Sequence, residues 1–216
     1  MIFKTYDDQD IEIESYKKIG LLLSGGLDSS VLLYLLNKVN ANSHFFFFTQ
    51  TKSDNSVGHV NDLMDYHDMG SNTYERIPID LDPSVYVPHP IMLDTEDKKL
   101  ESQGAWSFIF KNYFDQIDVL YSGNTSNPPD PIEGITAPPD RSRSIKIMKR
   151  YPKFKMPFIS LNKSHTVGLA LEHKLDYVIK YSHTCTELAD GNCYQCWQCK
   201  ERLWGFKMHN LGYRGT

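Results

Sequence analysis

Long apolar runs are missing from this chain. No stretch approaches the ~20 consecutive apolar residues that a bilayer span requires, so no membrane partner is expected. Residues 1–8 read MIFKTYDD, which is acidic and has neither the basic n-region nor the apolar h-region of a secretory leader. A cytoplasmic location is the expectation. An excess of positive charge is also lacking: 23 Lys and Arg face 27 Asp and Glu, for a net charge of −4. That argues against a protein whose main work is gripping a phosphate backbone by bulk charge, and nucleic acid is not expected as the direct substrate. Internal repeats and low-complexity tracts are absent. Cysteine is absent until position 185, after which four fall within 15 residues. What is present is ordinary globular composition, 40% hydrophobic, 12% aromatic and 23% charged over 216 residues. A chain of this length forms one domain, or one with a small appendage, and hides roughly 70% of its unfolded surface.

The apolar pattern predicts alternating strands and helices. Residues 19–23 (IGLLL) are short and apolar and end at a glycine pair, as a strand covered on both faces does. Residues 28–40 follow, with Val31, Leu32, Leu35, Leu36 and Val39 on one helical face. Residues 44–49, with four consecutive phenylalanines, predict a second buried strand. A base-stacking platform is the other reading of those rings. A weak helix over 57–69, a third strand over 74–79, a helix over 96–114 and a fourth strand over 118–121 complete the alternation. The expected fold is α/β, a doubly wound parallel sheet of the Rossmann-like kind. Seven of the eleven prolines lie between 128 and 157. Proline at that density predicts an irregular loop, long enough to cover a site. Asn162 predicts a cap for a helix over 163–174, and a last short helix is expected over 200–208.

The sharpest motif is Ser24-Gly25-Gly26-Leu27-Asp28-Ser29-Ser30, between a strand and a helix. The glycines let the backbone turn and bring bare amides close to a ligand. The helix start adds unpaired N–H groups and the positive end of its dipole. Ser24, Ser29 and Ser30 add hydroxyls. Together they form a nest for an oxygen-rich anion such as pyrophosphate. The loop lacks the lysine and length of a Walker A loop and the G-x-G-x-x-G spacing of dinucleotide folds. Asp28 beside phosphate calls for Mg²⁺, or for a role in orienting the loop. Gly123, after the fourth strand, is assigned to the same nucleotide site. The plainer reading is a strand-to-helix turn with Asp28 as its cap.

The cysteines are spaced Cys185-x7-Cys193-x2-Cys196-x2-Cys199. Each C-x2-C step sets two sulfurs on one tight turn, within reach of one ion. Four thiolates suit a closed, tetrahedral, structural Zn²⁺ site that folds the segment and does no chemistry. An iron–sulfur cluster, a redox-active pair or four unligated thiols are the other readings.

Glycine loop and cysteine cluster, in this order, resemble one family. Residues 24–29 match the SGGxDS loop of N-type ATP pyrophosphatases. Cys185 and Cys193-Tyr194-Gln195-Cys196-Trp197-Gln198-Cys199-Lys200-Glu201-Arg202 resemble the zinc segment of the 7-cyano-7-deazaguanine synthase family. Residues 157–164 (PFISLNKS) resemble the stretch before that segment. Pro139-Asp140-Arg141 is similar to its Pro-Asp-x-Arg loop, with the arginine directly after the aspartate. The resemblance implies a nucleotide domain over 1–160 and a C-terminal helical and zinc segment over 161–216. It implies ATP, Mg²⁺ and Zn²⁺, a 7-deazapurine carboxylate and ammonia as substrates, and a homodimer. The implied reaction adenylates the acid, forms an amide with ammonia, adenylates the amide and eliminates to a nitrile. Asp28 and Lys163 are the implied catalytic residues, Lys163 as a charge near the activated acyl group. A solvated first-turn lysine is the plainer reading. Asp140 and Arg141 are the candidate substrate contacts.

The chain departs from the family at two places. Phe48-Thr49-Gln50 stands where Tyr-Gly-Gln is usual, and Val87-Pro88-His89-Pro90 keeps Val-Pro without the Gly-Arg-Asn that follows it. The rival functions are a related enzyme acting on another carboxylate or thiolating tRNA, and an inactive nucleotide or deazapurine binder. His89 and His165 are minor general-base candidates. Trp197 reads as packing within the knuckle. Arg141, Arg143, Lys146, Lys149 and Arg150 read as a solvated basic face or a binder of phosphate or carboxylate.

Overall fold

The computed structural model describes residues 1–51, 55–80, 101–135 and 138–212. A short antiparallel hairpin, β1 (Ile2–Lys4) and β2 (Asp10–Glu12), opens the chain. It is followed by β3 (Lys18–Leu22), α1 (Leu27–Val39), β4 (His44–Gln50), α2 (Ser56–Met64), β5 (Thr73–Ile79), α3 (Glu101–Asn112) and β6 (Val119–Ser122). Then come α4 (Ser142–Arg150), β7 (Phe154–Lys155), α5 (Lys163–Glu172), α6 (Asp176–Tyr181) and α7 (Trp197–Lys207). Five strands form one parallel sheet in the order β5-β4-β3-β6-β7. Strand order therefore reverses between β3 and β6, as in a doubly wound sheet.

The phenylalanine run shows why the sheet is buried on both faces. Side chains alternate along a strand. Phe45 and Phe47 enter one apolar cluster with Leu35 and Leu36 of α1, Val167 of α5 and Phe206 of α7. Phe46 and Phe48 enter the other, with Trp106 and Ile109 of α3. All four rings are buried, which rules out their use as an exposed stacking platform. Each such ring adds about 1.5–3 kcal/mol of hydrophobic stabilisation relative to exposure. The first cluster runs through Phe158, Leu161, Val167, Leu169 and Phe206, so α5 and α7 close over the same core as α1.

The proline-rich stretch differs from the loop expected over 124–157. It contains α4 and β7, which pairs with β6 through Leu120 opposite Phe154. The prolines bracket these elements instead of filling them: none lies between Pro139 and Pro152. The hairpin and α6 were not foreseen either, being three and six residues long, too short to show a period. Val87, Pro88, His89 and Pro90 fall outside the described residues, as does the first part of the helix expected over 96–114.

Candidate active site

A cavity of about 550 Å³ opens at the reversal of strand order, beyond the C-terminal ends of β3 and β6. Ligands of open α/β sheets sit in such a crevice. Ser24, Gly26, Leu27, Asp28 and Ser29 line it from β3 and α1, and Gly123 from the loop after β6. Gly123 is glycine of necessity, because a Cβ there would lie 2.9 Å from Ser29 N. Gly26 is the N-cap of α1 with no side-chain cap bond. The first-turn amides are thus left to a ligand.

Gly25 is held in the left-handed region, with φ +74°. A Cβ there would come within 2.8 Å of His59 Cβ, so the turn admits only glycine without strain. Its carbonyl accepts the His183 N–H at 2.9 Å. His59 and His183 stack, 4.0 Å between centroids, and each ring reaches a carbonyl of the loop between Cys185 and Cys193, Ala189 O and Leu188 O. Ser24 Oγ and Ser29 Oγ lie 3.1 Å apart at the mouth of the turn. Ser29 and Ser30 are both buried and both donate to Gly26 O, at 3.2 and 2.8 Å; Ser29 lines the cavity, whereas Ser30, expected as a third phosphate hydroxyl, is not among its lining residues.

Lys163, Asp140 and Arg141 line the same cavity. Lys163 is not a solvated first-turn lysine. It is buried, its stem lies against Gly205, where a Cβ would meet Lys163 Cγ at 2.7 Å, and its ammonium donates to the Asp28 carboxylate. Thr166 Oγ1 holds the other Asp28 oxygen at 2.7 Å. Asn162 caps α5 in a full capping box with His165. His165 Nδ1 accepts the Asn162 N–H at 3.0 Å, and Nε2 lies 3.2 Å from Asp7. That work fixes the start of the helix carrying Lys163, in place of the general-base role weighed from sequence. Thr5 and Gln9 donate to Asp7 and hold its carboxyl down to about 2. Arg141 Nε donates to Asn127 at 3.2 Å, which pins the proline-rich limb at the cavity edge.

One central residue escaped the sequence reading. Glu201, two positions after the last cysteine, is buried, with an oxygen 3.8 Å from Lys163 Nζ and another 3.9 Å from Arg141. Burial pushes its carboxyl up, against the pull of Lys163 and Arg141. Its signal was weak: a charge four residues before Gly205 on a short helix.

Cys185, Cys193, Cys196 and Cys199 bring their sulfurs within 4.8 Å of one another, and Cys193 and Cys199 are 4.0 Å apart. Four sulfurs at ~2.3 Å from one ion stand about 3.8 Å apart, so the set fits a tetrahedral metal with little movement. The amides of Cys196 and Gln195 donate to Cys193 Sγ and hold its thiol down to about 6. Cys196, the N-cap of α7, accepts from Cys199 N at 3.4 Å. These donors favour the thiolates that a metal requires. Cys185 also lines the cavity, so metal site and cavity share a wall. Trp197 opens α7.

Residues 129–210 match the family described as queuosine biosynthesis protein QueC. A 7-cyano-7-deazaguanine synthase of Rickettsia akari is 23% identical over 223 residues, covering 90% of this chain and 96% of that protein. Both findings support the QueC family. The QueC match contains Asp140, Arg141, Lys163, Glu201 and all four cysteines; the glycine loop precedes it. Overlap with solved structures is partial. The U34-tRNA thiolase NcsA from Methanococcus maripaludis with its [4Fe-4S] cluster aligns with a TM-score of 0.45 at 12% identity, over 91% of this chain and 67% of that one. The predicted subunit of tRNA methyltransferase from Methanocaldococcus jannaschii aligns at 0.40 and 17% identity, over 73% and 75%. Among the described residues, no helix is long and apolar enough to cross a membrane.

Proposed function

We propose that this chain uses ATP to activate the carboxylate of 7-carboxy-7-deazaguanine and, with ammonia, forms 7-cyano-7-deazaguanine. One observation carries the reading: Lys163 and Arg141, both inside the QueC segment, face one cavity with an uncapped glycine-loop helix start. In the first step a carboxylate oxygen attacks the α-phosphorus and pyrophosphate leaves. Ammonia displaces AMP to give the amide. A second ATP adenylates the amide oxygen, and loss of AMP and a proton leaves the nitrile.

The chain's part in these steps is electrostatic. Amides of the first turn of α1, with the Ser24 and Ser29 hydroxyls, receive the departing pyrophosphate; fixed donors of this kind are worth roughly 10²–10³ in rate each. Lys163 offsets charge at the reacting acyl and phosphoryl groups. Arg141 receives the substrate carboxylate. Phe48 and Trp106 give the cavity an apolar wall against which a flat purine-like ring fits. Magnesium, held through Asp28, would neutralise phosphate charge. Zinc on the four cysteines would fix the fold of the segment, which carries His183 and Glu201 to the cavity. Cytoplasmic residence, where four thiols stay reduced, and a homodimer belong to the same proposal.

The test is incubation with ATP, magnesium, ammonium and the carboxy-deazaguanine, read by mass spectrometry. Nitrile with two AMP and two pyrophosphate per turnover is expected. Tight binding without turnover would make the chain a binder, and pyrophosphate release only with tRNA would make it a tRNA-modifying enzyme.

A further inference from the structure

The floor of the cavity is a row of alternating charges from four parts of the fold. Asp28 of α1 bonds Lys163 of α5; Glu201 of α7 follows, 3.8 Å from Lys163; Arg141 of the proline-rich limb ends the row, 3.9 Å from Glu201. Glu201 stands out in this row. Its side chain is 3% exposed, and among the described residues its Oε1 accepts no hydrogen bond. A buried carboxylate oxygen left without a donor is costly, and a residue kept only for packing would be apolar or fully bonded. Glu201 instead stands just out of hydrogen-bond range of both cations, with slack to close on either. Gly205, one turn further along α7, lets the Lys163 stem lie against the helix backbone. The same helix therefore supports the lysine's chain and faces its charge.

We propose that Glu201 is a positioning residue: it holds the Lys163 ammonium at the cavity when ligand draws Asp28 away, and it aims Arg141 from the other side. The inference rests on the functional reading above for its chemistry, but its core is a coupling between two side chains. In the resting row, Lys163 is bound to Asp28. A phosphate–magnesium ligand competes for Asp28, and the ammonium then needs a second anion behind it. Asp28, Lys163 and Arg141 are the charged groups that act on Glu201, from three separate elements.

A double-mutant cycle on the full-length, metal-loaded protein tests this. Magnesium pyrophosphate is titrated by calorimetry into the parent, Glu201→Gln, Lys163→Met and the double variant. Metal content and melting temperature are measured on each. We expect E201Q to weaken binding about fivefold in the parent and less than about twofold once Lys163 is gone, since groups acting as a unit are non-additive. Glu201→Asp, which keeps the charge, should recover part of the loss. Additive effects, or unchanged affinity in E201Q, overturn the proposal; a charge acting directly on the ligand would give additivity. Should E201Q lose its metal, Arg141→Gln tests the row from its other, partly exposed end, and additivity with Lys163→Met there overturns it equally. Pyrophosphate release with the carboxy-deazaguanine is run alongside. Its absence in the parent overturns the functional reading, while the binding cycle still decides the role of Glu201.

Discussion

The glycine loop and the cysteine knuckle are both turns that aim backbone amides at an electron-rich group, yet they are held in opposite ways. The glycine loop hangs between β3 and α1, and Leu21, Leu23, Leu27 and Val31 on either side of it are all buried. Its shape is set by a finished core, and on the proposed reading the first-turn amides of α1 would receive phosphate. The knuckle has little apolar support: Glu187, Leu188, Asp190, Tyr194 and Gln195 are exposed. Its amides point at sulfur, and four thiolates around a metal would supply the cohesion that packing does not. Comparing the two shows where each should fail. The two meet through the hydrogen bond from His183 N to Gly25 O and the stacked pair His59 and His183.

The largest effect should fall on the knuckle. Cys196→Ser replaces a candidate metal ligand while keeping a side chain able to cap α7, and should abolish metal binding. Because a structural metal's binding energy is folding energy, its loss should lower the melting temperature by ~10 °C or more. Elemental analysis and calorimetry check this, and hydrogen exchange should show opening confined to residues 182–210. A metal-free variant with the parental melting point would contradict the structural role.

Asp28→Ala comes next, and strikes the opposite region. It frees Lys163 from its bonded carboxylate and should cut pyrophosphate release by about 10²–10³, with metal content and melting point near the parent's. Unchanged release would remove Asp28 from the mechanism.

Gly25→Ala attacks the join. A Cβ at φ +74° costs about 1–2 kcal/mol before the contact with His59 is counted. A drop of ~3–8 °C and weaker nucleotide binding, with the metal retained, are expected. Parental affinity would show that the turn does not have to keep this shape.

The smallest effect concerns pH. Burial holds His67 down to about 4, below its ordinary 6.5, with its Nδ1 on the Tyr177 hydroxyl. A histidine that is harder to protonate when folded contributes stability above 6.5, and that contribution is lost as pH falls from 6.5 towards 4. His67, three residues past the end of α2, joins that part of the chain to Tyr177 of α6. His67→Asn should flatten the acid limb of melting temperature against pH by up to ~1 kcal/mol near pH 5.5. An identical limb in the variant would assign it to other groups.

Much of this was legible in the sequence, for physical reasons that differ by residue. The strands over 18–22 and 44–50 were readable because burial on both faces demands continuous apolar runs. The glycine loop and the C-x2-C steps were readable because turns that bring backbone to a ligand tolerate few residue types. What escaped depends on contacts distant in sequence. Glu201 is one charged residue on a helix of mixed pattern, and it matters because α7 packs on α5. Thr166 matters because it meets Asp28 across 138 positions. His183 carries no motif of its own, yet its backbone N–H holds the Gly25 carbonyl. The proline-rich stretch was misread because proline density was averaged across it, while the helix sits in the proline-free middle.

The central claim is that this cavity transfers an adenylyl group onto an acid oxygen. The most direct measurement uses 7-carboxy-7-deazaguanine with both carboxylate oxygens replaced by oxygen-18, incubated with ATP, magnesium and ammonium. Both labels should leave in AMP, one at the amide-forming step and one at the nitrile-forming step. Unlabelled AMP, or ADP and phosphate in its place, would contradict the account.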